Sequence, residues 1–135
     1  METANTIYIG ELRTEATHTR SAVKIVTDAP PDNQGKGESF SPSDLLATAL
    51  GSCMLTIMGI ASRTHGIQMD GTKIKVTKIM ASNPRRVSEV HIEFEMPDVI
   101  YSEKEKSILE NAARTCPVAL SVHPDIKQVL TFNYQ

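Results

Sequence analysis

From Ser41 to about Thr64 the chain carries a stretch that is apolar on nearly every face of a helix, and no other feature limits its fold so strongly. Ser41 suits a helix cap, Pro42 suits the first helical position, and Asp44 adds negative charge to the first turn. Leu45, Leu46, Ala49, Leu50, Cys53, Ile57, Ile60 and Ala61 recur at helical spacing, while Met54, Leu55 and Met58 fill the remaining faces. Gly66 supplies the stop. A helix apolar nearly all round is buried in a core or in an interface. A chain of 135 residues makes a single domain, 1–135, so the second apolar face points to a homodimer that covers it. The run Leu45 to Ala61 is broken by Thr48, Gly51, Ser52, Thr56 and Gly59. It falls short of the roughly 20 predominantly apolar residues of a bilayer span, so the reading is a core helix.

Around that helix the pattern predicts strands at 6–14 and 19–27, joined by a turn through Ala16-Thr-His-Thr-Arg. Asp28 to Ser41 is a loop dense in Pro, Gly, Asn and Asp. Beyond the helix, 73–80 and 87–96 alternate as strands around a turn at Asn83-Pro84-Arg85-Arg86. Val90, Ile92, Phe94 and Met96 face one side, and Glu89, His91, Glu93 and Glu95 the other; Ile74, Val76 and Ile79 are the inward positions of the earlier strand. Ser102 caps a second helix with acidic residues in its first turn, Pro117 opens a short helical piece to Val122, and 126–134 closes as a strand. The order β-β-α-β-β-α-β is an α+β domain.

Composition removes several classes of function. Three Phe, three Tyr and no Trp offer no stacking platform for single-stranded nucleic acid, and a net charge of −2 argues against a polyanionic partner. Arg85-Arg86 is an exposed turn, not a nucleic-acid patch. The N-terminal residues have neither a basic nor an apolar segment of a secretory leader, which makes the cytoplasm the expected compartment. In that compartment cysteines serve redox chemistry or catalysis more often than permanent bridges.

The chain has two cysteines, in comparable local settings. Cys53 follows Gly51-Ser52 on the apolar helix, and Cys116 precedes Pro117 at a helix junction. Only a thiolate is nucleophilic, and helix ends and nearby cations make one accessible near neutral pH. The pair therefore reads as a nucleophile with its resolving partner. A metal site is the weaker reading, because no Cys-x-x-Cys or His-x-x-x-His spacing accompanies the two thiols.

Ser41-Pro42-Ser43-Asp44-Leu45-Leu46-Ala47 leading into Gly51-Ser52-Cys53, with Thr115-Cys116-Pro117-Val118 before His123-Pro124, resembles the OsmC/Ohr family of osmotically inducible and organic-hydroperoxide-resistance proteins. The resemblance implies an intertwined homodimer with the cysteine helix at its centre. It also implies thiol-dependent reduction of organic hydroperoxides, with Cys53 peroxidatic, Cys116 resolving, a dithiol as reductant, and no metal or organic cofactor. Peroxidases of the family carry a glutamate about three turns before the first cysteine, where this chain has Ser43. Asp44 lies about 100° further round the helix, given 3.6 residues per turn, and Glu38 of the preceding loop is a second substitute; either carboxylate could orient the arginine. The family's arginine comes from the turn after the first strand, and Arg20 is the match by position. The expected catalytic set is therefore Cys53, Cys116, Arg20 and Glu38. The missing glutamate motivates an alternative, a non-enzymatic dimer binding a small apolar ligand in the same pocket.

Overall fold

The computed structural model describes residues 1–135, which form two compact units, Met1–Leu46 and Ala47–Gln135.

In the first unit, β1 (Ala4–Gly10), β2 (Arg13–His18) and β3 (Lys24–Asp28) form an antiparallel sheet in that order. The sequence pattern predicted two strands here, with the turn at 16–20. The segment 6–14 is instead cut at Glu11-Leu12, a two-residue turn in which both residues are left-handed (φ 56° and 61°) behind Gly10 at φ 89°. Two positive-φ residues are what a hairpin turn matching the strand twist requires, although Asn-Gly is its usual composition. The Leu12 N–H donates to the Tyr8 hydroxyl at 3.3 Å. The expected 16–20 turn falls later, at 19–23, where His18 Nδ1 and Ser21 Oγ lie 2.6 Å apart. No hydrophobic side chain of this unit is fully buried, and Ile7, Tyr8, Val23 and Phe40 are each more than half exposed.

The long helix α1 (Pro42–His65) starts in this unit. Ser41 Oγ accepts from the Asp44 N–H (3.0 Å) while the Ser41 N–H donates to Asp44 Oδ2 (2.9 Å), a reciprocal cap that satisfies donors otherwise orphaned at a helix start. Gly66, at φ 65°, ends the helix as expected.

The second unit holds the core. β4 (Lys73–Ala81), β5 (Arg86–Glu95) and β6 (Lys127–Asn133) form a sheet in which β4 and β5 are antiparallel and β5 and β6 parallel. The parallel pairing needs a crossover, made by α2 (Glu103–Arg114) and α3 (Pro117–Ser121). Along β5 the strict alternation is realised: Val90, Ile92, Phe94 and Met96 are buried. In β4 a bulge between Ile79 and Met80 turns Met80 inward and leaves Ile79 exposed, against the expected pattern. Leu50, Met54 and Met58 of α1 and Leu109 and Ala113 of α2 complete the interior, and Phe94 stacks on Phe132 with ring centroids 4.3 Å apart. Each large side chain so buried contributes on the order of 1.5–3 kcal/mol. Gly51 sits where α1 approaches the sheet most tightly, since a Cβ there would meet Ile74 Cδ1 at 2.6 Å. Although α1 is long and apolar enough to cross a membrane by length and composition, its inward stripe lies in this core; Ile60 and Leu46 stay on the open side. Ser102 and Glu105 form a capping box at the start of α2.

Candidate functional site

The two cysteines, 63 positions apart in sequence, come together in the second unit. Cys53 is half-buried on α1, and Cys116 is fully buried as the N-cap of α3; both are free thiols. Pro117 fixes the first helical position behind Cys116, and the Cys116 sulfur accepts the Ala119 N–H at 3.4 Å. The side chains of Cys53 and Cys116 are neighbours, close enough for each thiol to influence the other. Burial pushes the Cys116 thiol up; the Ala119 N–H opposes that rise and the neighbouring Cys53 adds to it. One thiol is thus reachable and the other sheltered beside it, the arrangement a nucleophile and a resolving partner require. A cavity of about 440 Å³ along α1, lined by residues including Thr56, Ile60, Arg63 and Asp70, holds neither of them.

The charged residues of the first unit form a separate cluster. Glu38 is paired, but with Arg13 and not with Arg20. Arg13 Nη2 donates to Glu38 Oε1 at 2.8 Å and to Asp28 Oδ2 at 3.0 Å. Asp28 Oδ2 also accepts the Glu38 backbone N–H at 2.9 Å. Arg13 and Asp28 face each other in the β2–β3 register. Asp28 and then Glu38 raise the guanidinium's pKa. Arg13, followed by the Glu38 N–H, holds the Asp28 carboxyl below the usual carboxylate range despite its burial. Arg20 lies exposed in the β2–β3 turn, at the other end of that hairpin and about 17 Å away for a strand rising ~3.3 Å per residue. Asp44 is engaged by Ser41 at the helix cap, and the Ser43 hydroxyl lies 3.2 Å from that of Ser41. The sequence reading did not single out the Arg13–Asp28 ion pair. The available signal was an opposite-charge pair at the ends of neighbouring strands, legible only once the Glu11-Leu12 turn sets the register.

A family model described as OsmC-like protein matches residues 35–130, which include the start of α1 and both cysteines. The chain belongs to the OsmC-like family. A Psychrobacter arcticus crystal structure, described as a candidate osmotic stress induced and detoxification response protein, is 54% identical over 98% of this chain and 96% of that one, with a TM-score of 0.94. At the level of fold, this OsmC-like chain is also similar to an organic hydroperoxide resistance protein OsmC from Legionella pneumophila (13% identity, 98% of each chain, TM-score 0.78). An organic hydroperoxide resistance protein from Elizabethkingia anophelis is similar to the same degree (14% identity, 100% and 98% covered, TM-score 0.74). Among proteins of curated function, none matches the chain. The α+β fold with two small sheets and a long helix is the OsmC-like one.

Proposed function

We propose that this OsmC-like protein is a cysteine-based peroxidase that reduces organic hydroperoxides. The observation that carries the reading is the neighbouring pair formed by a half-buried Cys53 and a fully buried Cys116. The Cys53 thiolate attacks the terminal oxygen of ROOH, the O–O bond breaks, and the leaving alkoxide takes a proton to become ROH. Cys53 is oxidised to the sulfenic acid, which condenses with the Cys116 thiol to give the Cys53–Cys116 disulfide and water. An external dithiol reduces that disulfide and is itself oxidised. No metal or organic cofactor enters the cycle.

Free cysteine titrates near 8.5, so Cys53 needs a cation to react at neutral pH. The reading takes that cation to be an arginine, which keeps its charge when desolvated. Arg20 and Glu38 are the residues expected for the cation and its partner; Glu38 pairs with Arg13, and Arg20 lies in an open turn. Apolar residues near Cys53 favour an organic peroxide over hydrogen peroxide. A homodimer is part of the reading, because a three-stranded sheet exposing Ile7, Ile9, Val23 and Ile25 calls for cover. The reducing cytoplasm is where such a thiol cycle would turn over.

Loss of free thiol in a single turnover with cumene hydroperoxide tests the proposal. Wild type should lose both thiols rapidly, Cys116→Ser should yield a trappable sulfenic acid, and Cys53→Ser should be inert. An unreactive wild type would refute the peroxidase reading and leave the apolar-ligand binder. Equal rates with hydrogen peroxide would refute the substrate preference alone.

A further inference from the structure

The core-facing row of β6 holds one residue whose chemistry does not match the rest. Ile126, Leu130, Phe132 and Tyr134, on β6 or directly beside it, all pack against the core. Gln128 stands between Ile126 and Leu130, and the alternation of a strand turns it to the same side. The register agrees, since its partner across the ladder is the buried Val90. A polar side chain in such a row weakens the core unless it has a partner there, and a break in the local pattern often marks a task.

The partner is α3. Gln128 Nε2 donates to the carbonyl of the buried Ala119 at 3.0 Å, reaching from the sheet to the helical turn that Cys116 opens. The backbone N–H of the same Ala119 donates to the Cys116 sulfur at 3.4 Å. One residue thus takes a hydrogen bond from the strand and gives one to the thiol. A helix of five residues does not hold itself in place by its own hydrogen bonds, so the direction of the Ala119 N–H depends on what α3 is tied to. An apolar residue at 128 would suit the row and would take this donor away from the Ala119 carbonyl.

We propose that Gln128 is a positioning residue for Cys116: it holds Ala119 so that the Ala119 N–H stays on the sulfur while that sulfur attacks the oxidised Cys53. In that step the Cys116 thiol gives up its proton and its sulfur displaces the hydroxyl of the Cys53 sulfenic acid. Hydroxyl and proton leave together as water. The attacking species is the thiolate, and a donated N–H favours the thiolate over the thiol. The earlier oxidation of Cys53 by peroxide does not draw on this tie. The inference rests on the reading above that Cys116 resolves Cys53, and every group it uses lies in the second unit.

The test follows the two steps separately after one equivalent of cumene hydroperoxide, in wild type and in Gln128→Met, with each thermal midpoint recorded. Met keeps the length of the side chain and removes the donor. Trapping with dimedone reads sulfenic acid at Cys53, and non-reducing mass analysis reads the disulfide. In Gln128→Met the sulfenic acid should form at the wild-type rate, and the disulfide on the order of 10- to 100-fold more slowly, the range expected for a small misplacement of a reacting group. A purely structural Gln128 would lower the thermal midpoint and leave both rates of the folded protein unchanged, which overturns the inference. Equal slowing of both steps overturns it as well. A wild type that forms no disulfide overturns the reading beneath it. Should Gln128→Met fail to fold, Gln128→Glu takes its place above about pH 8, where an ionised carboxylate of the same length offers no donor. Slow disulfide formation is again the expected result, and the wild-type rate would overturn the proposal.

Discussion

Gly51→Ala isolates the contact that seats the cysteine helix on its sheet. The new methyl would lie 2.6 Å from Ile74 Cδ1, 3.2 Å from Val76 Cγ2 and 3.7 Å from Ile92 Cδ1. Carbon atoms prefer to be about 3.5–4.0 Å apart, so the Ile74 methyl must retreat by about 1 Å and the stiff Val76 side chain by a few tenths. Such overpacking costs roughly 1–3 kcal/mol. Replacing glycine by alanine inside a helix returns about 1 kcal/mol. The net expectation is a loss of about 1 kcal/mol. Ile74→Val deletes the offending methyl and on its own costs about 0.5–1 kcal/mol, the low end for Ile→Val because Ile74 is only half-buried. With both changes the clash is gone and the helical gain remains, so the double variant should lie within about 0.5 kcal/mol of wild type, where additivity predicts a loss of about 1.5–2 kcal/mol. Urea unfolding reads this directly, as midpoints shifting at constant slope. Losses that add within about 0.5 kcal/mol would show that helix and strand do not meet through this methyl.

Three further outcomes follow from the same geometry. Ser102→Ala removes one half of the α2 capping box and should cost about 1 kcal/mol in urea unfolding; a change below about 0.3 kcal/mol would mean the box is not formed in solution. Because burial pushes the Cys116 thiol up, disulfide formation from the Cys53 sulfenic acid should accelerate by about tenfold per pH unit from 7 to 9 and pass the ~8.5 of free cysteine without levelling, so a plateau below pH 8 would contradict the sheltered thiol. The Asp28 carboxyl is held below its unfolded value, so its contribution to stability is present above about pH 4 and disappears as the pH falls through its folded value. Acid unfolding that begins below about pH 4 in wild type and is flatter in Asp28→Asn is the expected pattern.

Where one face of an element is buried and its signals are local, the sequence was enough. The β5 alternation, the Ser41 and Ser102 caps, the Gly66 stop and the core helix were all readable, because each depends on a period or on a spacing of at most three or four residues. The N-terminal sheet was read less well. Its turn places Glu11 and Leu12 at positive φ, a conformation their side chains do not advertise, so β1 and β2 merged into one expected strand. That missing turn hid the register pairing Arg13 with Asp28. Glu38 was singled out, but its partner was not, since an ion pair across 25 residues depends on how a loop closes. The cysteines sat in recognisable local settings, while their closeness to each other depends on the crossover that carries Cys116.

That crossover joins two strands that lie side by side and run in the same direction, from the end of β5 at Glu95 to the start of β6 at Lys127. A chain can hold such a connection taut only if both ends are anchored, and β6 is the far anchor. A nascent or clipped chain ending before Lys127 would contain both thiols and the whole of α1, with nothing to tie down the segment bearing Cys116. Its cysteines would then be two independent thiols, open to capping by small disulfides and to pairing between chains. The last nine residues carry no thiol, and still, in the proposed cycle, they would decide whether oxidation of Cys53 ends inside one molecule or between two.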